Sequence, residues 1–210
     1  MSGTLKIGGK TLATHDTNTN VAKIQLGSTS DVVLTDSAGN DVLSESGGVV
    51  SLENTKIVNV GTSTAASGTS VTFTGIPSTA RIVYVVFEDV SKGAENMLLQ
   101  LGTSSGVVTS GYSFRTAYAG GSNVASSTSS SSGFVTAGAG GDTTYISGTF
   151  SIYNIRDYVY VGTLTGGRLE AAYGFSGGGD VDLGGQLTQV KLSNTSGGSF
   201  DNGYFNVMWV

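Results

Sequence analysis

From residue 71 onward, hydrophobic positions alternate with polar ones in short runs. Val71 and Phe73 alternate with Thr72 and Thr74, and Phe150 and Ile152 with Ser151 and Tyr153. A period of two sends successive side chains to opposite faces of an extended chain, so these runs predict β-strands. The run 82–87 differs. There Val83, Val85 and Phe87 interleave with Ile82, Tyr84 and Val86, and both faces are apolar. Such a pattern predicts a central strand covered on two sides, or one at a subunit contact. Further strands are predicted at 98–101, 158–161, 187–192 and 204–210. In the last of these, Phe205, Val207 and Trp209 alternate with Tyr204, Asn206 and Met208. So apolar a strand avoids aggregation only when it is paired and buried. Val83, Val85, Phe87 and Trp209 are therefore expected in the core or at a contact between subunits. Helical periodicity is nearly absent; residues 89–96 offer one turn at most, weakened by Gly93.

Glycines punctuate these runs at Gly120-Gly121, Gly140-Gly141, Gly166-Gly167, Gly177-Gly178-Gly179, Gly184-Gly185 and Gly197-Gly198. Several short strands separated by turn signals predict an all-β fold, an antiparallel, jelly-roll-like β-sandwich over residues 67–210. The segment 120–141, nearly all serine from 126 to 132, reads as a long loop at one end of the sandwich, exposed or disordered. Residues 1–66 carry sparser apolar positions, among them Leu5, Ile7, Val21, Ile24, Leu34 and Val49, divided by polar stretches. They read as an extended, β-rich arm that gains order against a neighbour, or else as a meander packed on the chain's own sandwich. A linker is expected over 61–69.

Composition narrows the partners. The 210 residues suit one sandwich with an extension. Charged residues make up 12%, with a formal net charge of −5 and the ten basic residues scattered, so the Lys/Arg cluster that phosphate binding needs is missing. Nucleic acid and anionic membranes are accordingly not expected as partners. No run approaches the roughly 18 apolar residues needed to span a bilayer as a helix. Without cysteine there is no disulfide or thiolate metal site. The start, Met1-Ser2-Gly3-Thr4-Leu5, has neither a basic nor an apolar signal region, so synthesis in a cytoplasm without export is expected.

Candidate chemistry is thin. A Ser–His–acid triad would have to use His15, the single histidine, which sits in the polar arm. Gly102-Thr103-Ser104-Ser105-Gly106 lacks the helix that follows a nucleophile elbow. Carboxylate pairs could come from Glu88 and Asp89, from Asp180 and Asp182, or from Glu170. Neighbours on a strand point to opposite faces, which separates Glu88 from Asp89. Asp180 and Asp182 share a side but fall in a glycine-rich stretch read as a turn. Asp180-Val181-Asp182 and the segment Asp36 to Asp41 offer oxygen ligands for calcium, yet neither has EF-hand spacing, and Asp-Ser-Ala-Gly-Asn is ordinary turn chemistry. Gly177-Gly178-Gly179 is not followed by the helix start or Lys-Ser/Thr of a phosphate cradle. The expectation is a protein without catalytic residues, metal or cofactor. Aromatics beside glycine-rich stretches remain: Tyr112, Phe114, Tyr118, Tyr145 and Tyr173. Exposed tyrosines among Ser, Gly and Asn make adaptable recognition surfaces and stack on sugars; the competing reading puts them in the core or between subunits.

An ordered set of short motifs runs through the second part of the chain. Gly75-Ile76-Pro77 precedes the strand from Arg81 to Phe87. Asn96-Met97-Leu98-Leu99-Gln100-Leu101-Gly102 follows, then Gly111-Tyr112. The end reads Gln186-Leu187-Thr188-Gln189-Val190-Lys191-Leu192, then Phe200-Asp201-Asn202-Gly203 and a final strand. Together these resemble a β-sandwich module recurrent in tail-fibre and other virion proteins of tailed bacteriophages, with its GIP turn, LLxQLG strand and closing FDxG. The resemblance covers residues 70–210. The opening, Gly3-Thr4-Leu5-Lys6-Ile7-Gly8-Gly9, is similar to the attachment segments of such proteins. The resemblance implies a homotrimer whose exposed heads recognise host-surface glycans, docked to other virion proteins through the N-terminal arm. It implies no catalytic set. A long fibre carries a shaft and none is visible here, which leaves a short fibre or a capsid decoration protein. A carbohydrate-binding or carbohydrate-active domain is the third reading.

Overall fold

The computed structural model describes residues 58–91, 96–120, 127–137, 145–168 and 173–210 in full, and beyond these the backbone of the strands at 4–7, 10–16, 21–23, 32–35, 41–46, 49–51 and 123–126. Among the described residues every regular element is a strand. The chain divides into two compact units, residues 1–57 and 58–210.

The first unit holds two three-stranded antiparallel meanders. One consists of β1 (Thr4–Ile7), β2 (Lys10–Asp16) and β3 (Val21–Lys23), the other of β4 (Val32–Thr35), β5 (Asp41–Ser46) and β6 (Val49–Ser51).

The second unit is a β-sandwich of two antiparallel sheets. Its strands are β7 (Asn59–Val60), β8 (Thr64–Ala65), β9 (Ser70–Thr74), β10 (Ile82–Ser91), β11 (Met97–Thr103), β12 (Gly106–Val107), β13 (Ser113–Gly120), β14 (Asn123–Ser130), β15 (Phe134–Val135), β16 (Tyr145–Arg156), β17 (Val159–Arg168), β18 (Tyr173–Asp182), β19 (Gln189–Asn194) and β20 (Tyr204–Trp209). The larger sheet runs β14-β13-β18-β17-β16-β10-β20-β7, with β8 also on β20; the smaller runs β12-β11-β19-β9, with β15 also on β11. Residues 59–60, read from sequence as part of the N-terminal arm, and 64–65, read as part of a linker, thus pair with β20 and belong to the sandwich.

Cross-strand register converts the alternation into two faces. On the inner face of the larger sheet, Val207, Val85, Phe150 and Leu164 stand in one row. Phe205, Phe87, Gly148, Gly166, Phe175 and Tyr118 stand in the next. The smaller sheet faces them with Leu99, Leu101, Val190 and Leu192, all fully buried. Each large side chain withdrawn from water in this way contributes about 1.5–3 kcal/mol. Val83, Val85 and Phe87 are core residues, and Trp209 packs half-buried against that core.

Two glycine-rich stretches are strand rather than turn. Gly177-Gly178-Gly179 lies within β18, and Gly166-Gly167 within β17. The reason is close approach. A Cβ on Gly177 would lie 2.7 Å from the Arg115 carbonyl oxygen and one on Gly179 would collide with the Ser113 carbonyl, both in the neighbouring β13. A Cβ on Gly166 would lie 2.5 Å from the ring of Phe175, its cross-strand partner, and one on Gly162 would lie 2.5 Å from the ring of Phe134 in the smaller sheet. Glycine in a strand interior marks such close approaches. Phe134 is fully buried there, 4.9 Å from Phe114 and 5.3 Å from Tyr112 between ring centres. The serine-rich segment also departs from the loop expectation: β14 pairs with β13 from Phe114–Ser130 through Gly120–Asn123, and β15 follows it. Serines with few apolar neighbours give no alternation to read, yet they serve on an edge strand, where Ser127 and Ser129 are exposed.

Replacing Gly162 by Ala pushes the new methyl into the Phe134 ring and is expected to destabilise the sandwich by about 1–3 kcal/mol. Urea unfolding of the purified protein measures this, as a lower midpoint with an unchanged slope.

Candidate functional surfaces

Of the five aromatics singled out by sequence, two are not on the surface. Tyr112 and Phe114 are only 4% and 2% exposed. The Tyr112 hydroxyl accepts a hydrogen bond from the Leu101 amide (2.8 Å) and lies 3.1 Å from the Val108 carbonyl, to which it donates. It ties β11 to the loop that precedes β13. Burial pushes this phenol up from 10.0 to about 12, partly offset by the hydrogen bond from Leu101. Sequence could not separate this buried tyrosine from an exposed one, because glycine flanks it in both cases.

Tyr118, Tyr145 and Tyr173 gather at one end of the larger sheet. Tyr173 pairs with Gly120 on one side and with Arg168 on the other, and Arg168 pairs with Ile146, the neighbour of Tyr145. Tyr118 meets Tyr173 edge-to-face, with ring centres 5.7 Å apart, and the Arg168 guanidinium lies 5.7 Å from the centre of the Tyr173 ring. All three tyrosines are half-buried. The strand termini Ser91, Gly120, Asn123, Tyr145, Arg168 and Tyr173 lie at this end. Beside the tyrosines, Ala117, Ala119, Thr165, Gly166, Gly174, Phe175 and Ser176 line a shallow open depression.

A second surface is the outer face of the larger sheet, which the smaller sheet does not cover. One cross-strand row reads Val60, Met208, Tyr84, Ser151, Thr163, Gly178, Arg115 and Ser129. The next reads Asn206, Val86, Thr149, Thr165, Ser176 and Ala117. A third runs Ile82, Tyr153, Val161, Asp180 and Ser113. The half built on β20, β10 and β16 is the more apolar one, with Ile82, Tyr84, Val86, Met208 and Tyr153 set among Asn206, Thr149 and Ser151, and the half on β18, β13 and β14 is mostly small or polar. Val58, Tyr84, Val86, Thr149, Ser151, Thr165 and Met208 line a shallow depression on the apolar half. Sequence flagged only the strand 82–87 of this surface. Val60, Met208, Tyr153 and Val161 joined it through register, which one strand's pattern does not reveal.

Among the described residues the candidate carboxylates do not gather into a cluster. Asp180 and Asp182 stand exposed on one side of β18, in a strand rather than the turn expected for them, and Asp182 accepts a hydrogen bond from the Gly184 amide (2.9 Å). Glu88 and Asp89 are both exposed at a register shift in β10, where Asp89 takes a positive φ of 49°. The Asp89 amide donates to Ser147 Oγ (2.9 Å), and Asn202 Nδ2 donates to the Asp89 carbonyl (2.8 Å). Among the described residues no three His, Asp or Glu side chains come together as a metal site. His15 and Asp41 fall on β2 and β5, but their side chains lie outside the described residues, as do Glu170 and residues 36–40. Comparison with the models of known protein families, with curated proteins and with solved structures finds no match.

Changing Tyr112 to Phe leaves the Leu101 amide without its partner and is expected to cost about 1–3 kcal/mol at neutral pH. The folded pKa lies above the unfolded one, so the stability tied to this phenol is complete below pH 10 and is lost as pH rises through about 12. The gap between wild type and Tyr112→Phe should therefore narrow over that interval, as read by urea unfolding at a series of pH values.

Proposed function

We propose that this chain is a non-enzymatic structural protein of a tailed-phage virion. It would be a short homotrimeric fibre that docks to other virion proteins by its N-terminal segment and presents one end of its sandwich to host-surface glycans. The observation that carries the reading is the outer face of β10. Ile82, Tyr84 and Val86 are large, apolar and half-exposed on a sheet face that the sandwich leaves uncovered. Large apolar side chains gathered on an uncovered sheet face suit assembly with a partner.

Three further features support it. The motif order along residues 70–210 resembles the virion module. The N-terminal residues form a separate compact unit, suited to docking. Tyr118, Tyr145 and Tyr173 share one end of the larger sheet with the strand termini, and aromatic faces there suit stacking on sugars. Several such ends on one assembly would bind by avidity, so no single site needs high affinity.

Antibody raised against the protein, with gold labelling of purified virions in the electron microscope, tests the reading. Label at the tail or at a particle appendage in few copies is the expected result. Label spread over the head in many copies would instead favour a capsid decoration protein. Particles free of the protein would sink both readings.

A further inference from the structure

We infer that the apolar half of the larger sheet's outer face, built on β20, β10 and β16, packs against another copy of this chain. The inference rests on the assembly proposed above and goes further by assigning the contact. The sequence left Val83, Val85 and Phe87 open as contact residues, but all three point into the sandwich and are at most 1% exposed. Their interleaved neighbours Ile82, Tyr84 and Val86 point the other way.

The register rows bring these three beside Met208, Tyr153 and Val60. Val60 is 61% exposed and Val210, which exchanges backbone hydrogen bonds with Ile82, is 42% exposed. Monomeric proteins seldom leave contiguous apolar patches beyond a few hundred Å². The smaller sheet lies on the opposite face, so nothing within the sandwich covers this one.

Charge selects the occupant. The chain carries a net −5. On this half of the face the outward positions of β20, β10 and β16 are Asn206, Met208, Ile82, Tyr84, Val86, Thr149, Ser151 and Tyr153, and none is charged. The acids Asp157, Asp180, Asp182 and Asp201 are exposed elsewhere, and Glu88 stands at the margin beside Tyr204. A basic or acidic partner would find no counter-charge here. Two copies of an acidic chain can meet through such a face without opposing like charges or burying one. Contact through the sheet edge is the poorer alternative, because β7 and β8 at that edge are two residues each.

Light scattering on the intact chain tests the inference. The wild type should have a mass of more than one chain. Val86→Glu and Met208→Glu each place a charge in the contact and should give single-chain mass at the same concentration, with circular dichroism unchanged because both side chains point away from the core. Ser129→Glu, on the far polar edge of the same face, should keep the wild-type mass. If the glutamate variants fail to fold, Val86→Thr keeps the shape and strand preference of valine. It should raise the dissociation constant at least about tenfold. A single-chain wild type overturns the inference, as does wild-type mass in the folded glutamate variants or, where those do not fold, an unchanged dissociation constant in Val86→Thr. An oligomer that survives these changes moves the contact elsewhere while leaving the virion role to the particle labelling.

Discussion

The sandwich depends on how closely its two layers approach near Phe134. That ring comes from a two-residue strand of the smaller sheet and lies over Gly162 of the larger one, between Tyr112 and Phe114. A side chain at residue 162 would hold the layers apart or displace the ring. Close-packed interiors forfeit dispersion contacts over gaps of half an ångström, so the neighbouring rings need this fit as much as Phe134 does. The same device recurs where Gly166 makes room for Phe175, and there Phe175 stacks at 6.4 Å on Phe87, the last inward residue of the doubly apolar run. Gly148, whose Cβ would lie 2.8 Å from the ring of Phe87, serves the same packing.

With the inner face of β10 committed to that core, its outer face acquires a meaning of its own. In a sheet covered on one side, outward positions are ordinarily polar, as they are on β18, β13 and β14. The large apolar residues Ile82, Tyr84, Val86, Met208 and Tyr153 on β10, β20 and β16 are therefore a property of the surface, and they set this part of the sheet face apart from the smaller and more polar side chains of β18 and β13. The tyrosine end adjoins the apolar rows, since Thr165 lines the depression beside each. Assembly and recognition would then use different parts of one rigid scaffold, as binding loops on stable sandwiches do.

What the sequence made legible follows from periodicity. The strands 71–74, 82–87, 150–153 and 204–210 alternate strongly, and each is a strand of the sandwich. Elements without apolar alternation were misread. The serine run that ends β14 and the triple glycine inside β18 look like loop and turn, because nothing local shows that one lines an edge and the other lies tight against the backbone of β13. Phe134 and Val135 sit at the end of the serine run and drew no notice, although an isolated apolar pair after such a stretch is the signal that would have found them. Burial was the hardest property to read for Tyr112, whose hydroxyl finds partners 4 and 11 residues away in sequence. The apolar outer face was half legible: β10 announced it, while Met208, Tyr153 and Val161 could be placed beside it only by cross-strand register.

Hydroxyl-radical labelling of the intact protein, read residue by residue by mass spectrometry, tests most directly whether both faces of β10 are covered in the working molecule. Met97, wholly buried in the core, sets the floor, and Tyr158, 42% exposed and away from the apolar rows, sets the reference for open surface. The account predicts labelling of Tyr84 and Met208 close to that of Met97. Labelling in proportion to their half-exposure on the isolated chain would contradict it.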